Sequence, residues 1–438
     1  MRSKNKATAT KEEVTPGLVP KLRFPEFRHA EAWRLVSLQE ASTPVTERVG
    51  ERKVTPVSIS AGIGFVPQTE KFGRDISGNQ YQRYTLVSDG DFVYNKGNSL
   101  KFPQGCVYQL HGWGQVAAPN VFICFRLKDG YSGVFFQNCF EQNMHGKQLK
   151  KHITSGARSN GLLNISKENF FGVEIPTPCP AEQQKVAECL SSVDELIASQ
   201  ARKVDVLKTH KEGLVRQLFP REGERRPHRR FREFLSAGDW EMKRVGELGS
   251  VLAGKALAVN APGPLRPYLR TKNVLDGAID VSDVLTMPMT DAEFSRFEVL
   301  DGDILLNEGQ SLELVGRASI YRGEFGGRCA MQNQLLRFRS AASTCPEFAA
   351  QAFRKCQKDG TFAGIATKTT SVAHLGSSRF NALELPWPPT LHEQQRIASC
   401  LSNLDTLITA ESQKLEALKT HKKGLMQQLF PFPEEVDA

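Results

Sequence analysis

The sequence lacks the features that mark membrane, secreted and metal-binding proteins. No apolar run approaches the roughly 18 residues of a membrane span. Residues 1–22 are polar and basic without an apolar core, which predicts a disordered tail rather than a secretory signal. The nine cysteines form no CxxC pair and no Cys/His ligand spacing. We therefore predict a protein of the reducing cytoplasm that binds neither a metal ion nor a membrane.

Catalytic motifs are absent as well. There is no GxxxxGK[ST] phosphate loop, no HExxH, no GxSxG and no NPPY-like tetrapeptide of the kind that adenine methylation requires. A nuclease-like trio could be drawn from Asp239, Glu241 and Lys243. These residues flank Trp240, however, and the repeat of this tryptophan, Trp33, has no such neighbours. We therefore predict no catalytic residue and no cofactor bound by this chain.

What the sequence has instead is a long internal repeat. The segment EQQKVAECLSSVDELIASQARKVDVLKTHKEGLVRQLFP, Glu182 to Pro220, returns 211 residues later as Glu393 to Pro431, and 22 of the 39 positions are identical. An ungapped second copy indicates duplication. Each copy ends in proline, which stops helices, and each predicts one helix of about 58 Å at a rise of about 1.5 Å per residue.

Apolar residues follow a heptad pattern along both copies, which is typical of a coiled coil. The predicted seam consists of Val186, Leu190, Val193, Ile197, Val204, Leu207, Leu214 and Leu218 in the first copy, and Ile397, Leu401, Leu404, Ile408, Leu415, Leu418, Leu425 and Leu429 in the second.

Polar residues interrupt this seam at equivalent positions: Gln200 and Lys211 in the first copy, Glu411 and Lys422 in the second. They are consistent with a solvated patch or with a device that fixes pairing direction. A parallel pair would set Lys211 against Lys422. An antiparallel pair could bring Lys211 near Glu411 and Gln200 near Lys422, so we predict antiparallel helices.

The duplication extends over nearly the whole chain. RFPEFRHAEAW resembles RFREFLSAGDW, DGDFVYNKGNSL resembles DGDILLNEGQSL, and VEIPTP matches LELPWP. Each half therefore has an entry segment, a globular region and a long helix. The predicted parts are a tail at 1–22, a first domain at 23–178, a first helix at 180–220, a basic linker at 221–229, a second domain at 230–389 and a second helix at 391–431.

Short β-like runs such as DFVYN, NVFICFRL and DILLN dominate the globular regions, and Asp-Gly turn pairs precede two of them. The best helical candidate there is Pro346 to Gln357. We predict an α+β fold of two globular domains with curved sheets, joined by two long antiparallel coiled-coil helices in a pseudo-twofold internal repeat.

The positive charge lies in the globular regions. The chain of 438 residues carries a net charge of +9. Residues 1–180 hold 23 basic and 15 acidic side chains, and residues 221–390 hold 23 and 20, whereas residues 181–220 are neutral. This distribution favours a polyanion such as DNA as partner of the globular regions. The basic linker could also contact nucleic acid, but a solvated connection is the simpler interpretation.

These segments together resemble the specificity (S) subunit of type I restriction–modification systems. The resemblance is carried by the RFPEF…W entry (RFREF…W in the second half), the GDF and GDI strands, the I-P-x-P exit before EQQ (L-P-x-P in the second half), and the ending KTHKxGLxxQLFP. The first copy departs from the pattern only in reading PTPCP where the second reads PWPPT.

The resemblance implies that each globular region is a target recognition domain that reads one half of a bipartite, asymmetric DNA sequence. It implies two antiparallel spacer helices that hold the domains apart. It also implies a non-catalytic chain that binds double-stranded DNA and docks two modification (methyltransferase) subunits and the restriction (translocase/endonuclease) subunits. S-adenosylmethionine, ATP and Mg²⁺ are then expected on those partners.

The base-contacting residues of the family vary, so loop-like polar and basic residues are the candidates. Arg and Lys suit guanine edges, Asn suits adenine edges, and many Lys pair with phosphates. The DNA-binding candidates are Lys96, Lys101, Lys151, Arg158 and Asn160 in the first domain, and Arg270, Lys272, Lys368, Thr369, Thr370 and Arg379 in the second.

Two alternatives remain open from the sequence. A coiled-coil scaffold with two non-DNA protein-binding domains fits the heptads and the repeats equally well, although not the charge distribution. A fused restriction–modification enzyme is disfavoured by the chain length and by the missing methylation motif.

Overall fold

The computed structural model describes residues 18–97, 102–153, 163–258, 261–368 and 372–431. The chain forms two compact units: a first unit of Met1–Gln200 and Lys414–Ala438, and a second unit of Ala201–Gln413. Each unit therefore contains one globular region and a part of each long helix. Within the described residues, no helix combines the length and apolarity needed to cross a membrane.

The first unit is built from short strands, short helices and the start of a long helix. Its strands are β1 (Arg34–Ser37), β2 (Ser42–Pro44), β3 (Thr55–Ser60), β4 (Gly64–Pro67), β5 (Thr85–Ser88), β6 (Phe92–Asn95), β7 (Cys106–Gln109), β8 (Gln115–Ala118), β9 (Ile123–Leu127) and β10 (Glu174–Thr177). Its helices are α1 (Leu38–Ala41), α2 (Gln68–Phe72), α3 (Gly133–Glu141), α4 (Met144–Leu149), α5 (Lys167–Phe171) and the first part of α6 (Pro180–Leu218).

The second unit has the same kind of composition. Its strands are β11 (Glu241–Arg244), β12 (Gly249–Ala253), β13 (Leu265–Leu269), β14 (Leu285–Pro288), β15 (Ile304–Asn307), β16 (Gly309–Gln310), β17 (Ala318–Ile320), β18 (Ala330–Met331), β19 (Leu335–Ser340), β20 (Thr367–Lys368), β21 (Ala373–His374) and β22 (Glu384–Trp387). Its helices are α7 (Val245–Leu248), α8 (Asp291–Phe297), α9 (Pro346–Lys358), α10 (Thr361–Ile365), α11 (Ser377–Ala382) and the first part of α12 (Leu391–Leu429).

The strand order of the two units repeats. The sheet β2-β9-β6-β7 corresponds to β12-β19-β15-β17, and the ladder β1-β10 corresponds to β11-β22. In each unit a further sheet contains one parallel pair, β3 with β8 and β13 with β18. The duplication therefore includes the sheet topology, well beyond the segments whose sequences match, and the predicted α+β fold is confirmed.

Two local predictions within the globular regions are also confirmed. Gly90 and Gly302 adopt positive φ angles of 92° and 86° directly before β6 and β15. Glycine has no Cβ to oppose this conformation, so the Asp-Gly pairs turn the chain into each strand. Helix α9 occupies the segment from Pro346 that the sequence assigned to a helix.

The long helices pair antiparallel within each unit. In the second unit, Lys203 Nζ lies 2.5 Å from Glu411 Oε1, and Lys211 Nζ lies 2.6 Å from Asp405 Oδ1. Residues further along α6 thus contact residues nearer the start of α12, as in an antiparallel pair. In the first unit, Lys422 lies 2.8 Å from Asp194 Oδ1. The predicted direction is therefore found in both units.

The predicted partner of Lys211 was wrong. Lys211 binds Asp405, which is nearer to the helix start than Glu411, and Glu411 binds Lys203 instead. The reason is register: the packing of each helix end into its globular region sets the alignment, and polar interruptions alone do not. All sixteen predicted seam side chains are buried or half-buried, whereas Leu196 and Val206, off the seam, are 58% and 66% exposed.

Each long helix ends in the core of a globular region. Phe430, after α12, packs against Trp33 and Phe135 in the first unit, with ring centroids 6.0 and 5.2 Å away. Phe219, after α6, packs in the same way against Trp240 and Phe348 in the second. The LFP endings of the repeat are therefore anchors of the core.

The start of the described chain is tied to the same place. The Leu22 N–H donates to the carbonyl oxygen of Gln428, and Leu18 bridges to Trp33. Residues 18–22, which the sequence analysis placed in the tail, therefore make backbone contacts, and residues 1–17 lie outside the described residues. In the second unit the Arg229 N–H donates to Gln217 in the equivalent way.

Candidate nucleic-acid interface

The repeated arginine and glutamate form a buried joint between entry segment and long helix. Arg23 donates from Nε and Nη2 to the Glu182 carboxylate at 2.8 and 2.7 Å. Arg230 makes the same two bonds to Glu393, both at 2.7 Å. All four side chains are at least nine-tenths buried. Such bidentate pairs combine geometric specificity with strength. We call these repeated joints, together with the two long helices, the frame.

The first glutamine of each EQQ segment has a similar structural role. Gln183 accepts the Ser132 N–H ahead of α3 and donates to the carbonyl of Pro178. Gln394 accepts the Cys345 N–H ahead of α9 and donates to the carbonyl of Pro388. Each glutamine thus locks the start of a long helix to the globular region in its own unit.

The aspartates of the repeated GDF and GDI segments are also structural. Asp91, which is fully buried, accepts two bonds from Arg126 at 2.6 and 3.0 Å, and Asp303 accepts two from Arg339 at 2.7 Å. These pairs join β6 to β9 and β15 to β19. Because the repeated residues hold the frame, a surface that differs between the units must be sought among the unrepeated residues.

The structure places two of the first-unit candidates. Lys96 is half-buried after β6, and its carbonyl accepts the Leu163 N–H. Lys151 is exposed on the short 3-10 helix Lys150–His152. The remaining candidates, Lys101, Arg158 and Asn160, lie outside the described residues.

Two second-unit candidates are engaged in an ion-pair cluster. Arg270 Nη2 and Lys272 Nζ lie 2.7 and 2.5 Å from the same Asp283 oxygen. The hydrogen bond from Lys272 leads the effects that lower the pKa of the Asp283 carboxyl, so this carboxylate offsets part of the positive charge at the site. Arg270 and Lys272 are therefore weaker candidates for a phosphate than an unpaired lysine would be.

The other described candidates lie on or beside a small three-stranded sheet, β16-β21-β20. Lys368 is exposed on β20, and Arg379 donates from Nη2 to the carbonyl of His374 on β21 at 2.9 Å. The candidates Thr369 and Thr370 lie outside the described residues. We name the surface formed by Glu308, Gln334, His374 and Arg379 the hairpin patch.

Sequence reasoning missed three members of the hairpin patch. His374 Nδ1 lies 3.0 Å from Glu308 Oε2, and the Glu308 N–H donates to the carbonyl of Gln334 at 2.8 Å. One signal could have found Glu308: the repeat reads N-K-G at residues 95–97 and N-E-G at residues 307–309. A change of charge sign inside an otherwise repeated segment indicates a position that distinguishes the two units.

The described residues contain no group of three or more His, Cys, Asp or Glu side chains arranged to hold a metal ion. The nine cysteines are all free, and burial raises the pKa of Cys106 and Cys345 to about 11. A thiol with a raised pKa is a poor nucleophile at neutral pH. Cys106 and Cys345 are therefore packing residues.

The fold and the site define a class of protein in which one chain contains two copies of an α+β domain, each followed by a long helix. Residues 237–420 match the sequence model of a family described as "Type I restriction modification DNA specificity domain". Outside this segment as well, the chain is similar in sequence and in fold to specificity subunits of type I restriction–modification systems.

Two curated relatives have names in this family. A putative type I restriction enzyme MjaX specificity subunit of Methanocaldococcus jannaschii is 26% identical over 194 residues, covering 44% of this chain and 45% of the relative. The type I restriction enzyme EcoKI specificity subunit of Escherichia coli is 26% identical over 222 residues, covering 45% and 44%. Each match thus spans less than half the length of the relative.

Two solved structures share the fold over nearly the whole chain. A type I restriction–modification S subunit from M. genitalium covers 94% of this chain and 99% of its own, with a TM-score of 0.56 at 14% identity. A chain from a study of complex assembly and conformational transition of the type I restriction–modification system covers 91% and 97%, with a TM-score of 0.55 at 16% identity. At these identities the likeness concerns the fold.

Proposed function

We propose that this chain is the sequence-specific DNA-binding subunit of a type I restriction–modification complex. Each globular region reads one half of a bipartite target. The two halves differ because the globular surfaces differ, whereas the long helices and their joints repeat. The observation that carries the proposal is this contrast between a repeated frame and unrepeated surfaces, as at Lys96 and Glu308.

The proposal assigns the chemistry to partner subunits. Two modification subunits supply S-adenosylmethionine and methylate adenine, while restriction subunits supply ATP-driven translocation and Mg²⁺-dependent cleavage. The chain itself contributes recognition and docking and is not an enzyme. Reading two half-sites with one chain makes the second contact intramolecular, so two weak contacts add to tight binding overall.

Exchange of one globular region tests the assignment of one domain to one half-site. Leu35 on β1 lies opposite Pro176 on β10, so residues 35–176 can be replaced by the matching region of a relative with both junctions on one ladder. Co-expressed with its modification subunit, the chimera should methylate a target changed in one half only. Genome-wide sequencing of methylated adenines gives the result.

The second unit provides the matched control. Met242 on β11 lies opposite Pro386 on β22, so residues 242–386 can be exchanged at equivalent junctions. This chimera should change the other half of the target and keep the first. If either exchange alters both halves, or neither, the assignment is wrong.

The separation of the half-sites is proposed to follow from the long helices. Each has 39 residues, or about 58 Å. Inserting four residues after Ala198 adds about 6 Å, close to two base pairs at about 3.4 Å each. The methylated target should then keep both halves with a longer gap. A folded insertion variant that methylates only the original spacing would refute this role.

Binding by the complex should also depend on salt. Phosphate contacts release counterions, so the logarithm of the affinity should fall linearly with the logarithm of the salt concentration. An affinity that is unchanged between about 50 and 200 mM salt would instead favour a scaffold with protein-binding domains.

A further inference from the structure

The hairpin patch contains a histidine whose backbone is paired with β16 and whose ring contacts Glu308. His374 lies on β21 opposite Gly309 on β16, and the Leu375 N–H donates to the carbonyl of Glu308 at 2.9 Å. A Cβ added at Gly309 would lie 3.3 Å from the His374 ring and 2.2 Å from Gln334 Oε1. Glycine at this position therefore leaves the space that the imidazole and the amide occupy.

The Glu308 carboxylate determines which ring nitrogen carries the hydrogen. An ionised carboxylate only accepts hydrogen bonds, so the contact between His374 Nδ1 and Glu308 Oε2 at 3.0 Å requires Nδ1–H as donor. In the neutral ring the other nitrogen, Nε2, is then an acceptor. Glu308 is 16% exposed and His374 is 34% exposed, so the imidazole is more accessible to solvent than the carboxylate.

The surroundings of this pair suit the major groove of DNA. That groove admits short β elements, and His374 lies on β21, the central strand of the small sheet, with Lys368 exposed on the neighbouring strand β20. Exocyclic amino groups, adenine N6 and cytosine N4, are the hydrogen-bond donors that bases present there. An acceptor nitrogen on a half-exposed imidazole is complementary to such a group.

We propose that His374 Nε2 accepts a hydrogen bond from the exocyclic amino group of an adenine or cytosine in the half-site read by the second unit, and that Glu308 is its positioning residue. This inference rests on the proposed function. The first unit has Lys96 in place of Glu308, so it cannot orient a histidine in this way and reads its half-site by other groups.

The first experiment determines the methylated target of the complex carrying His374→Ala. One adenine- or cytosine-specifying position in one half-site should become degenerate, and the other half-site should be unchanged. Glu308→Gln keeps the shape of the side chain but can donate as well as accept, so both ring tautomers become possible. It should weaken discrimination at the same position.

A second experiment identifies the amino group. Binding of the complex at pH 8 is compared on DNA whose specified adenine is replaced by purine, or whose specified cytosine is replaced by 2-pyrimidinone; each analogue lacks the amino group. The wild-type complex should lose about tenfold in affinity on one of the two analogues, the size of a typical single-position mismatch. The His374→Ala complex should bind the unmodified DNA and that analogue with equal affinity.

Lys368→Gln provides a control on the same hairpin. Loss of a phosphate contact should weaken binding on all sequences and lower the salt slope by about one, without changing any specified base.

The outcomes separate the two levels of the argument. A wild-type complex that methylates no bipartite target would overturn the proposed function itself. A bipartite target that is the same in the wild type, His374→Ala and Glu308→Gln would overturn only the role of the histidine. If His374→Ala abolishes methylation altogether, Glu308→Gln decides, because an unchanged target in that variant excludes the positioning role.

Discussion

Lys211 and Lys422 occupy equivalent positions of the repeat but differ in their electrostatic surroundings. Lys211 contacts both oxygens of Asp405 at 2.6 and 2.8 Å, and Arg354 Nη1 contacts the same carboxylate at 3.0 Å. Lys422 lies 2.8 Å from Asp194 and 3.4 Å from Glu141. One lysine therefore shares its carboxylate with a second cation, while the other has two carboxylates.

The difference comes from the globular regions and not from the long helices. Asp194 and Asp405 are themselves equivalent in the repeat, as are the two lysines. Arg354 belongs to α9 and Glu141 to α3, helices that follow the central sheets of their units but differ in sequence. The repeated frame thus contains the same lysine–aspartate pair twice. The second unit adds a positive charge to this pair, from Arg354, and the first unit adds a negative charge, from Glu141.

The largest expected effect concerns the part of the frame that the units share most closely, the buried arginine–glutamate joint. Glu393→Ala leaves Arg230 buried without its partner and removes the bond from Trp240 Nε1 at 3.2 Å. We expect the second unit to lose about 4 to 5 kcal/mol of unfolding free energy. Hydrogen exchange of second-unit peptides, monitored by mass spectrometry, measures the loss.

Glu182→Ala is the matching variant in the first unit. Within the described residues the Trp33 Nε1 atom has no hydrogen-bond partner, so the first joint lacks the extra bond. The first unit should lose about 3 to 4 kcal/mol, somewhat less than the second. A larger loss in the first unit would show that the tryptophan contact is unimportant.

The aromatic anchors should be nearly equal in effect. Phe430→Ala and Phe219→Ala each remove a buried ring that contacts a tryptophan and a phenylalanine. Each should cost its own unit about 3 kcal/mol through lost burial and the cavity left behind. Urea unfolding followed by tryptophan fluorescence measures this, and Leu196→Ala, at an exposed position, is the control.

The lysine pairs themselves should respond unequally. Asp405→Ala leaves Lys211 and Arg354 facing each other in a part-buried site, so we expect a loss of about 2 kcal/mol. Asp194 is half-exposed, and Lys422 still contacts Glu141 when the Asp194 carboxylate is removed. Asp194→Ala should therefore cost less than about 1 kcal/mol of unfolding free energy. Equal losses in the two variants would contradict the electrostatic difference between the units.

The long helices could be predicted from the sequence because their signal is periodic and repeated. Their start and end shifted by only a few residues, to Pro180–Leu218 and Leu391–Leu429. Pairing direction followed from the charges that a parallel arrangement would oppose. The partner of Lys211 did not, because register depends on how Phe219 and Phe430 pack into the cores, and that packing is absent from a linear pattern.

The sheets and the candidate site were harder to predict for a related reason. Strands of two to six residues pair across long separations, as in the parallel contact of β3 with β8. Glu308 and His374 are 66 residues apart and meet only because β16 pairs with β21. Sequence reasoning could select Lys368 and Arg379 by residue type and loop context, but it could not place Arg379 against His374.

The smallest expected effect is a difference between the two lysines in the pH at which each loses its proton. Burial, followed by the charge of Arg354, lowers the pKa of Lys211 below 10.5 despite the bonds to Asp405. Burial alone would also lower the pKa of Lys422, but Asp194 and Glu141 reverse this and raise it above 10.5. Lys211 should therefore deprotonate first. NMR of ¹³C-dimethylated lysines, assigned with Lys→Arg variants, follows both titrations.

The sign of the stability effect differs between the two lysines. For Lys211 the unfolded chain holds its proton to higher pH than the folded one, so its destabilising contribution is full below the folded pKa and fades as the pH rises towards 10.5. For Lys422 a stabilising contribution is full below 10.5 and is lost only as the pH rises through its raised pKa. Arg354→Gln should move the Lys211 titration upward and Glu141→Gln should move that of Lys422 downward, because each variant removes the charge that distinguishes the two sites. If both lysines titrate together in the wild type, the charges on α3 and α9 do not reach the long helices.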